Sequence, residues 1–122
     1  MKTILIVDDK AEVRELVEVT LRVGDYRILQ ADNGDQAVEI AQAERPDLML
    51  LDVMMPGGMD GFEVCERLKS DPATQGITII MLTAKGQQVD KERGSQVKAD
   101  GYYTKPFSPL ELLQKVEEVL GE

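Results

Sequence analysis

The sequence contains no histidine among its 122 residues. This absence excludes Ser-His-Asp and Cys-His nucleophile pairs, and it excludes zinc sites that use imidazole ligands. It also means that the chain cannot itself donate a phosphoryl group from a phosphohistidine. Any histidine chemistry must therefore come from a partner protein.

Cysteine and long apolar runs are also scarce. The single cysteine, Cys65, cannot form an internal disulfide, which fits a reducing cytosol, and its helical spacing predicts a packed core thiol. No apolar run approaches the length of a membrane span, and no signal peptide precedes the first strand. We therefore expect a cytoplasmic protein with no membrane partner.

Basic residues are outnumbered, with 14 Lys and Arg against 23 Asp and Glu and a formal net charge of -9. An acidic domain repels phosphate backbones, so direct nucleic-acid binding is not expected. The length and the 43% apolar content are typical of one domain with one hydrophobic core, which we assign to residues 1–122.

Short apolar strands alternate with amphipathic helices along the chain. This alternation predicts a parallel sheet with helices on both faces. The predicted strands are residues 4–7, 26–31, 48–51, 77–82 and 101–104. The predicted helices are residues 10–23, 34–43, one from Asp60–Gly61 to Ser70, 86–98 and 109–120. Strands one and three are apolar throughout and strand four is nearly so, which predicts that all three are central, whereas strands two and five are expected at the edges.

Polar residues stand at the carboxyl ends of four of these strands. Asp8 and Asp9 follow strand one, Asp52 follows strand three, Thr83 follows strand four and Lys105 follows strand five. Carboxyl ends of parallel strands meet at one edge of the sheet, where open α/β folds bind ligands, so these side chains are expected to converge.

Three carboxylates at one place repel each other unless a cation lies between them. A donor set of oxygens without histidine or cysteine predicts Mg²⁺. We interpret Asp52 as the acceptor of a phosphoryl group, with Asp8 and Asp9 at the metal. Lys105, the Thr83 hydroxyl and the Ala84 backbone N–H would neutralise and bind the phosphoryl oxygens. The Lys105–Pro106 bond is a candidate for a cis peptide.

Five short motifs recur at intervals that a known family shares: Asp8-Asp9, residues 51–56 (LDVMMP), 59–61 (MDG), 82–84 (LTA) and 103–107 (YTKPF). On these motifs the chain resembles the response-regulator receiver domain of two-component signalling, from residue 4 to the end of the last helix. One glycine of the pair Gly57-Gly58 is additional to the commonest family pattern.

The resemblance implies a flavodoxin-like fold, a doubly wound five-stranded parallel sheet in the order 2-1-3-4-5 with five helices. It implies that a partner histidine kinase or histidine phosphotransfer protein phosphorylates Asp52. It also implies that Asp9, Asp52 and the backbone carbonyl of Met54 bind Mg²⁺, with Asp8 acting mostly through water.

The same resemblance implies that Thr83 and Tyr103 form a switch pair. They would alter an output surface, defined here as predicted helix 86–98, strand five and the last helix. This surface would control a downstream partner, a fused effector domain or a phosphorylation-dependent dimer. Such a domain is not an enzyme with a separate substrate, because it catalyses only its own phosphorylation and dephosphorylation.

Other interpretations remain open at this point. Asp9 with Glu12, and Ser108 with Glu111, match helix capping boxes, and most other charged residues of the first two helices would be solvated. A phosphatase of the haloacid-dehalogenase type also uses a strand-end acid, but in an Asp-x-Asp pattern. A degenerate receiver used only for docking would need no metal. No glycine-rich loop follows strand one, which disfavours dinucleotide binding.

Overall fold

The computed structural model describes residues 1–55, 58–84, 98–105 and 108–121, with the main chain alone at positions 83, 84 and 105. The strands are β1 Lys2–Val7, β2 Tyr26–Ala31, β3 Leu48–Asp52, β4 Thr78–Ala84 and β5 Gly101–Lys105. The helices are α1 Ala11–Leu21, α2 Gly34–Glu44, α3 Gly61–Lys69 and the C-terminal helix Pro109–Leu120. Predicted helix 86–98 falls almost wholly on residues outside these ranges.

All five strands are parallel, and their order is β2-β1-β3-β4-β5. The predicted flavodoxin-like fold and both predicted edge strands are therefore confirmed. β1 begins two residues earlier than predicted, at Lys2, and β4 extends two residues further, to Ala84. The residues added to β1 are Lys2, which is exposed, and Thr3, which is half-buried, so the buried apolar run of this strand did not mark them.

The sheet separates the hydrophobic core into two layers, because successive strand side chains point to opposite faces. One layer includes Leu5, Val7 and Leu51 and packs against the buried side chains of α2 and α3. The other includes Ile4, Ile6 and Leu50 and packs against those of α1 and the C-terminal helix. Burial on both faces fixes the position of β1 and β3, whose carboxyl ends carry the acidic residues.

Two helix starts lack the capping boxes that their sequences match. The N-cap of α1 is Lys10, without a side-chain cap, so the alternative interpretation of Asp9 with Glu12 as a capping box does not hold. Ser108 is the N-cap of the C-terminal helix but its side chain also makes no cap hydrogen bond. α3 has the full capping box instead, in which Asp60 accepts from the Glu63 backbone and the Glu63 side chain accepts from the Asp60 backbone.

Lys69, at the end of α3, joins that helix to the two last strands. Its ammonium group donates to the Ile77 carbonyl at 2.6 Å and lies 2.8 Å from the Asp100 carboxylate. Asp100 in turn accepts from the Ile79 backbone N–H at 2.7 Å. The start of β5 is thereby attached to the start of β4 by a half-buried ion pair. No helix in the described ranges is long and apolar enough to cross a membrane.

Candidate functional site

Three carboxylates meet at the carboxyl edge of the sheet, and we call Asp8, Asp9 and Asp52 the acidic triad. β1 and β3 are neighbours with Val7 opposite Leu51, so Asp8 and Asp52 leave adjacent strands at the same level. One oxygen from each triad carboxylate lies within 4.8 Å of the others. Asp8 is fully buried and Asp52 is 4% exposed, so two of these charges lie in a poorly hydrated position.

Backbone amides hold two of the three carboxylates. The Lys10 N–H donates to Asp8 Oδ1 at 2.9 Å, and the Met54 N–H donates to Asp52 Oδ1 at 3.4 Å. Asp9 differs, because its Oδ1 is buried and has no hydrogen-bond partner among the described residues. The same oxygen lies 3.7 Å from the exposed Lys10 ammonium.

This arrangement fits a hard divalent cation. The donors are all oxygens and they converge. One of them is a buried oxygen to which no described residue donates a hydrogen bond, and such an oxygen is costly unless something else binds it. The competing interpretation of Asp9 as a helix cap does not hold, because Lys10 occupies that position. The acidic triad comprises the carboxylates that would hold Mg²⁺, and the Met54 carbonyl as a further ligand stays a prediction.

The remaining predicted phosphate-binding groups lie along the same edge in the main chain. Asp52 pairs with Leu82, so Thr83 and Ala84 continue β4 just beyond the level of the acceptor. Ala84 pairs with Lys105 on β5. The side chains of Thr83, Ala84 and Lys105 lie outside the described part of the chain, as does Pro106, so their roles and the cis peptide stay predictions.

The loop after Asp52 returns close to the acceptor. Met54 is 60% exposed beside the site, and the Gly61 N–H donates to the Val53 carbonyl at 3.0 Å. A Cβ at position 61 would lie 2.3 Å from the Asp52 backbone oxygen. The first turn of α3 can pack on the Asp52 backbone because residue 61 has no side chain.

Tyr103, the predicted switch residue, lies half-buried on β5. Its hydroxyl donates to the Glu111 carboxylate at 3.3 Å. Burial raises the pKa of Tyr103, and the neighbouring Glu111 charge and hydrogen bond raise it further. Glu111 thus contacts Tyr103, not the N-terminal backbone of its own helix as the predicted capping box required.

Sequence reasoning missed a polar group behind the triad. Arg14 and Glu18 were interpreted as solvated residues of the first helix, yet both contact Gln30 of β2, through bonds of 3.0 and 2.8 Å. Arg14 also donates to the Asp8 backbone carbonyl at 2.6 Å. These contacts join residues 6 to 16 positions apart, so no local spacing reveals them, although Gln30 in a strand beside Leu29 and Ala31 was a visible anomaly.

Comparisons with known proteins agree with this geometry. The model of the response regulator receiver domain family matches residues 4–117. The chain is 50% identical over 119 residues to the phosphate regulon transcriptional regulatory protein PhoB of Pseudomonas aeruginosa, covering 98% of this chain and 52% of that protein. It is 44% identical over 117 residues to the transcriptional regulatory protein ResD of Bacillus subtilis, covering 96% and 47%. The chain therefore spans about half the length of these curated relatives.

Solved structures give the same result. The chemotaxis response regulator CheY4 of Vibrio cholerae superposes with a TM-score of 0.90 at 34% identity, with 98% of each chain covered. A sensor histidine kinase receiver domain from Pseudomonas aeruginosa, solved with magnesium in its active site cleft, gives 0.89 at 30% identity, covering 99% of this chain and 98% of that one. From its sequence, its sheet order and its converging acids, the chain belongs to the response regulator receiver domain family of two-component systems.

Proposed function

We propose that Asp52 accepts a phosphoryl group from the phosphohistidine of a partner kinase or phosphotransfer protein, in a reaction that requires Mg²⁺. The observation that carries this proposal is the acidic triad, with converging oxygens and a buried Asp9 oxygen that has no hydrogen bond from any described residue. Support for magnesium comes from the similar receiver domain that holds this ion in its cleft.

The chemistry assigned to the chain is a displacement at phosphorus. An oxygen of Asp52 forms a bond to phosphorus while the bond between phosphorus and the donor imidazole nitrogen breaks. The electron pair of the broken bond leaves with the imidazole, which takes up a proton. Bound Mg²⁺ supplies positive charge that offsets the negative charge of the carboxylates and the phosphoryl oxygens.

The protein's own groups orient the acceptor. Burial restricts the water around the Asp52 carboxylate, and the Met54 N–H orients one of its oxygens. Asp8 and Asp9 would hold the ion, with the Met54 carbonyl as a further ligand. Lys105, Thr83 and the Ala84 N–H are proposed to bind the transferred group, because their strands end at the same edge.

Phosphorylation would then act on the output surface through Thr83 and Tyr103. The hydrogen bond from Tyr103 to Glu111 gives this step a structural cost, since an inward movement of the tyrosine must break it. A downstream partner, a fused effector domain or a phosphorylation-dependent dimer would recognise the altered surface. The proposal includes a cytoplasmic location, which cell fractionation tests.

Mass spectrometry after incubation with a small acyl phosphate and Mg²⁺ tests the proposal. The wild-type chain should gain the mass of one phosphoryl group, and an excess of chelator should prevent the gain. Asp52→Asn should gain nothing, whereas Asp32→Asn, which changes an exposed acid after β2, should behave as the wild type. Phosphorylation of Asp52→Asn at the wild-type rate would show that the acceptor is another residue.

A further inference from the structure

We infer that Arg14 is a positioning residue for the acidic triad, and that it raises the affinity for Mg²⁺ by fixing the peptide group between Asp8 and Asp9. This inference rests on the proposed function, because it assumes that the triad binds Mg²⁺. It assigns a role to Arg14, a half-buried arginine of α1 that does not itself bind the metal ion in the proposed site.

The contacts of Arg14 form a fork with two different acceptors. Its Nη1 donates to the Asp8 backbone carbonyl at 2.6 Å, and its Nε donates to Gln30 Oε1 at 3.0 Å. Asp8 is held at two further points, since its N–H donates to the Ala31 carbonyl at 3.2 Å and its Oδ1 accepts from Lys10. The amide, the carbonyl and the carboxylate of Asp8 are therefore all bound.

The carbonyl contact matters for both acids because a peptide unit is planar. The oxygen that Arg14 holds belongs to the peptide that joins Asp8 to Asp9. Fixing that oxygen fixes the plane, and with it the direction in which each side chain leaves the backbone. Among the described residues, the buried Asp9 oxygen has no hydrogen bond and lies 3.7 Å from the exposed Lys10 ammonium, so we expect the direction of this side chain to depend strongly on the peptide.

Gln30 fixes the guanidinium in turn. Its Oε1 faces Arg14, which can only donate, and its Nε2 donates to Glu18 Oε1 at 2.8 Å. One orientation of the amide satisfies both neighbours, and the reverse orientation satisfies neither. The Gln30 hydrogen bond, and after it the one from Arg22, lowers the pKa of Glu18, which keeps this carboxylate ionised as an acceptor.

Two effects of Arg14 on cation binding have opposite signs, which makes the inference testable. A positive charge near the site opposes a divalent cation, so its removal would strengthen binding if charge were the only effect. Loss of positioning would weaken binding. Arg14→Lys separates the effects, because lysine keeps the charge but lacks the planar fork that reaches both acceptors.

Isothermal titration calorimetry of the full chain with MgCl₂ tests the inference, with Arg14→Lys, Arg14→Gln and Gln30→Met as variants. Outer-shell partners typically change metal affinity 10- to 100-fold, so Arg14→Lys should bind Mg²⁺ about tenfold more weakly than the wild type. Arg14→Gln should also bind more weakly, and Gln30→Met should show a smaller loss in the same direction. Circular dichroism establishes that each variant is folded.

Arg27→Lys is the matched control. Arg27 is also a paired arginine, bound to Glu44, but it lies opposite Thr3 near the other end of the sheet, so its replacement should leave Mg²⁺ affinity unchanged. Wild-type affinity in a folded Arg14→Lys protein, or tighter binding by Arg14→Gln, would overturn the inference and leave the proposed function intact. A wild-type protein that binds no Mg²⁺ would overturn the proposed function itself.

Discussion

Single residues determine how closely the backbone can pack around the acceptor, and Gly61 is the clearest case. It is the first residue of α3, and the space where a Cβ would stand is filled by the main chain of Asp52 and Val53, at 2.3 and 2.8 Å. Backbone atoms cannot move aside as the end of a flexible side chain can. The position of the Asp52 main chain relative to α3 therefore requires that residue 61 has no Cβ.

Gly61→Ala should lower the free energy of unfolding by at least about 1–3 kcal/mol, the cost of overpacking. Gly76→Ala is the control, because no described residue other than its two chain neighbours lies within 4 Å of the place that its Cβ would occupy. Its change should stay within about 0.5 kcal/mol. Urea denaturation of both variants measures the difference. Equal midpoints would mean that α3 shifts freely against Asp52.

Cys65 gives a prediction in alkaline solution. Burial raises the pKa of its thiol from 9.0 to about 11, an effect that the Lys69 charge opposes. The unfolded chain therefore loses this proton before the folded protein does. The stability linked to Cys65 is fully present below pH 9 and is lost as the pH rises towards 11.

Urea unfolding at pH 7 and pH 10.5 measures this loss, which should be on the order of 1–2 kcal/mol. Cys65→Ala should be less stable at pH 7 because it leaves a cavity, but it should lack this part of the alkaline decline. Tyr102 and Tyr103 also have raised pKa values and contribute a decline of the same sign in both proteins. Identical pH dependence in the two proteins would contradict the prediction.

At the scale of helices and strands, α3 and the C-terminal helix both begin with a capping-box sequence, but only α3 forms the cap hydrogen bonds. Asp60 accepts from the Glu63 N–H at 2.9 Å, whereas the Ser108 side chain makes no cap hydrogen bond. Glu111, the third residue of the C-terminal helix, contacts Tyr103 of β5 instead. The contact with Tyr103 therefore replaces the cap hydrogen bond that the local sequence predicts for Glu111.

Asp60→Ala should therefore cost about 0.5–2 kcal/mol of stability, the usual value of an N-cap. Ser108→Ala should cost less than about 0.5 kcal/mol, since no cap bond is lost. Thermal unfolding of the two single variants checks this order. A larger loss for Ser108→Ala would indicate a cap that forms in solution.

The three central strands could be predicted well because the apolar run of each is buried on both faces of the sheet, so four or five consecutive residues carry the signal. The carboxylates at the ends of β1 and β3 followed directly from that prediction and from the parallel order. Helix starts were less predictable, as Lys10 and Ser108 show, because several nearby residues compete for a cap. Arg14 could not be found, since its contacts with Asp8 and Gln30 exist only once β1, β2 and α1 have packed.

At the scale of the whole molecule, the sheet collects three negative charges at one edge of a protein whose net charge is already -9. The chain tolerates this because the energy gained by burying β1 and β3 exceeds the repulsion. We expect this repulsion to lower the stability of the protein when no cation is bound. Cation binding and stability should therefore be linked.

In the presence of a chelator, Asp52→Asn should be more stable than the wild type by on the order of 1–3 kcal/mol, because one of three repelling charges is removed. Mg²⁺ at about 100 times its dissociation constant should stabilise the wild type by about 2.7 kcal/mol and the variant by less. Thermal unfolding with chelator and with Mg²⁺ measures both effects, with Asp32→Asn as the control. A wild-type melting temperature that is the same with chelator and with Mg²⁺ would contradict the linkage between cation binding and stability.

The ion pair between Lys69 and Asp100 has a consequence for the chain between the last two strands. Because the Asp100 carboxylate before β5 binds Lys69 of α3 and accepts from the Ile79 N–H of β4, the start of β5 is attached by contacts that lie outside residues 85–97. We expect that stretch to accept grafted peptides of varied length without dislodging the final strand. A receiver domain that accepts such grafts would suit the engineering of sensors.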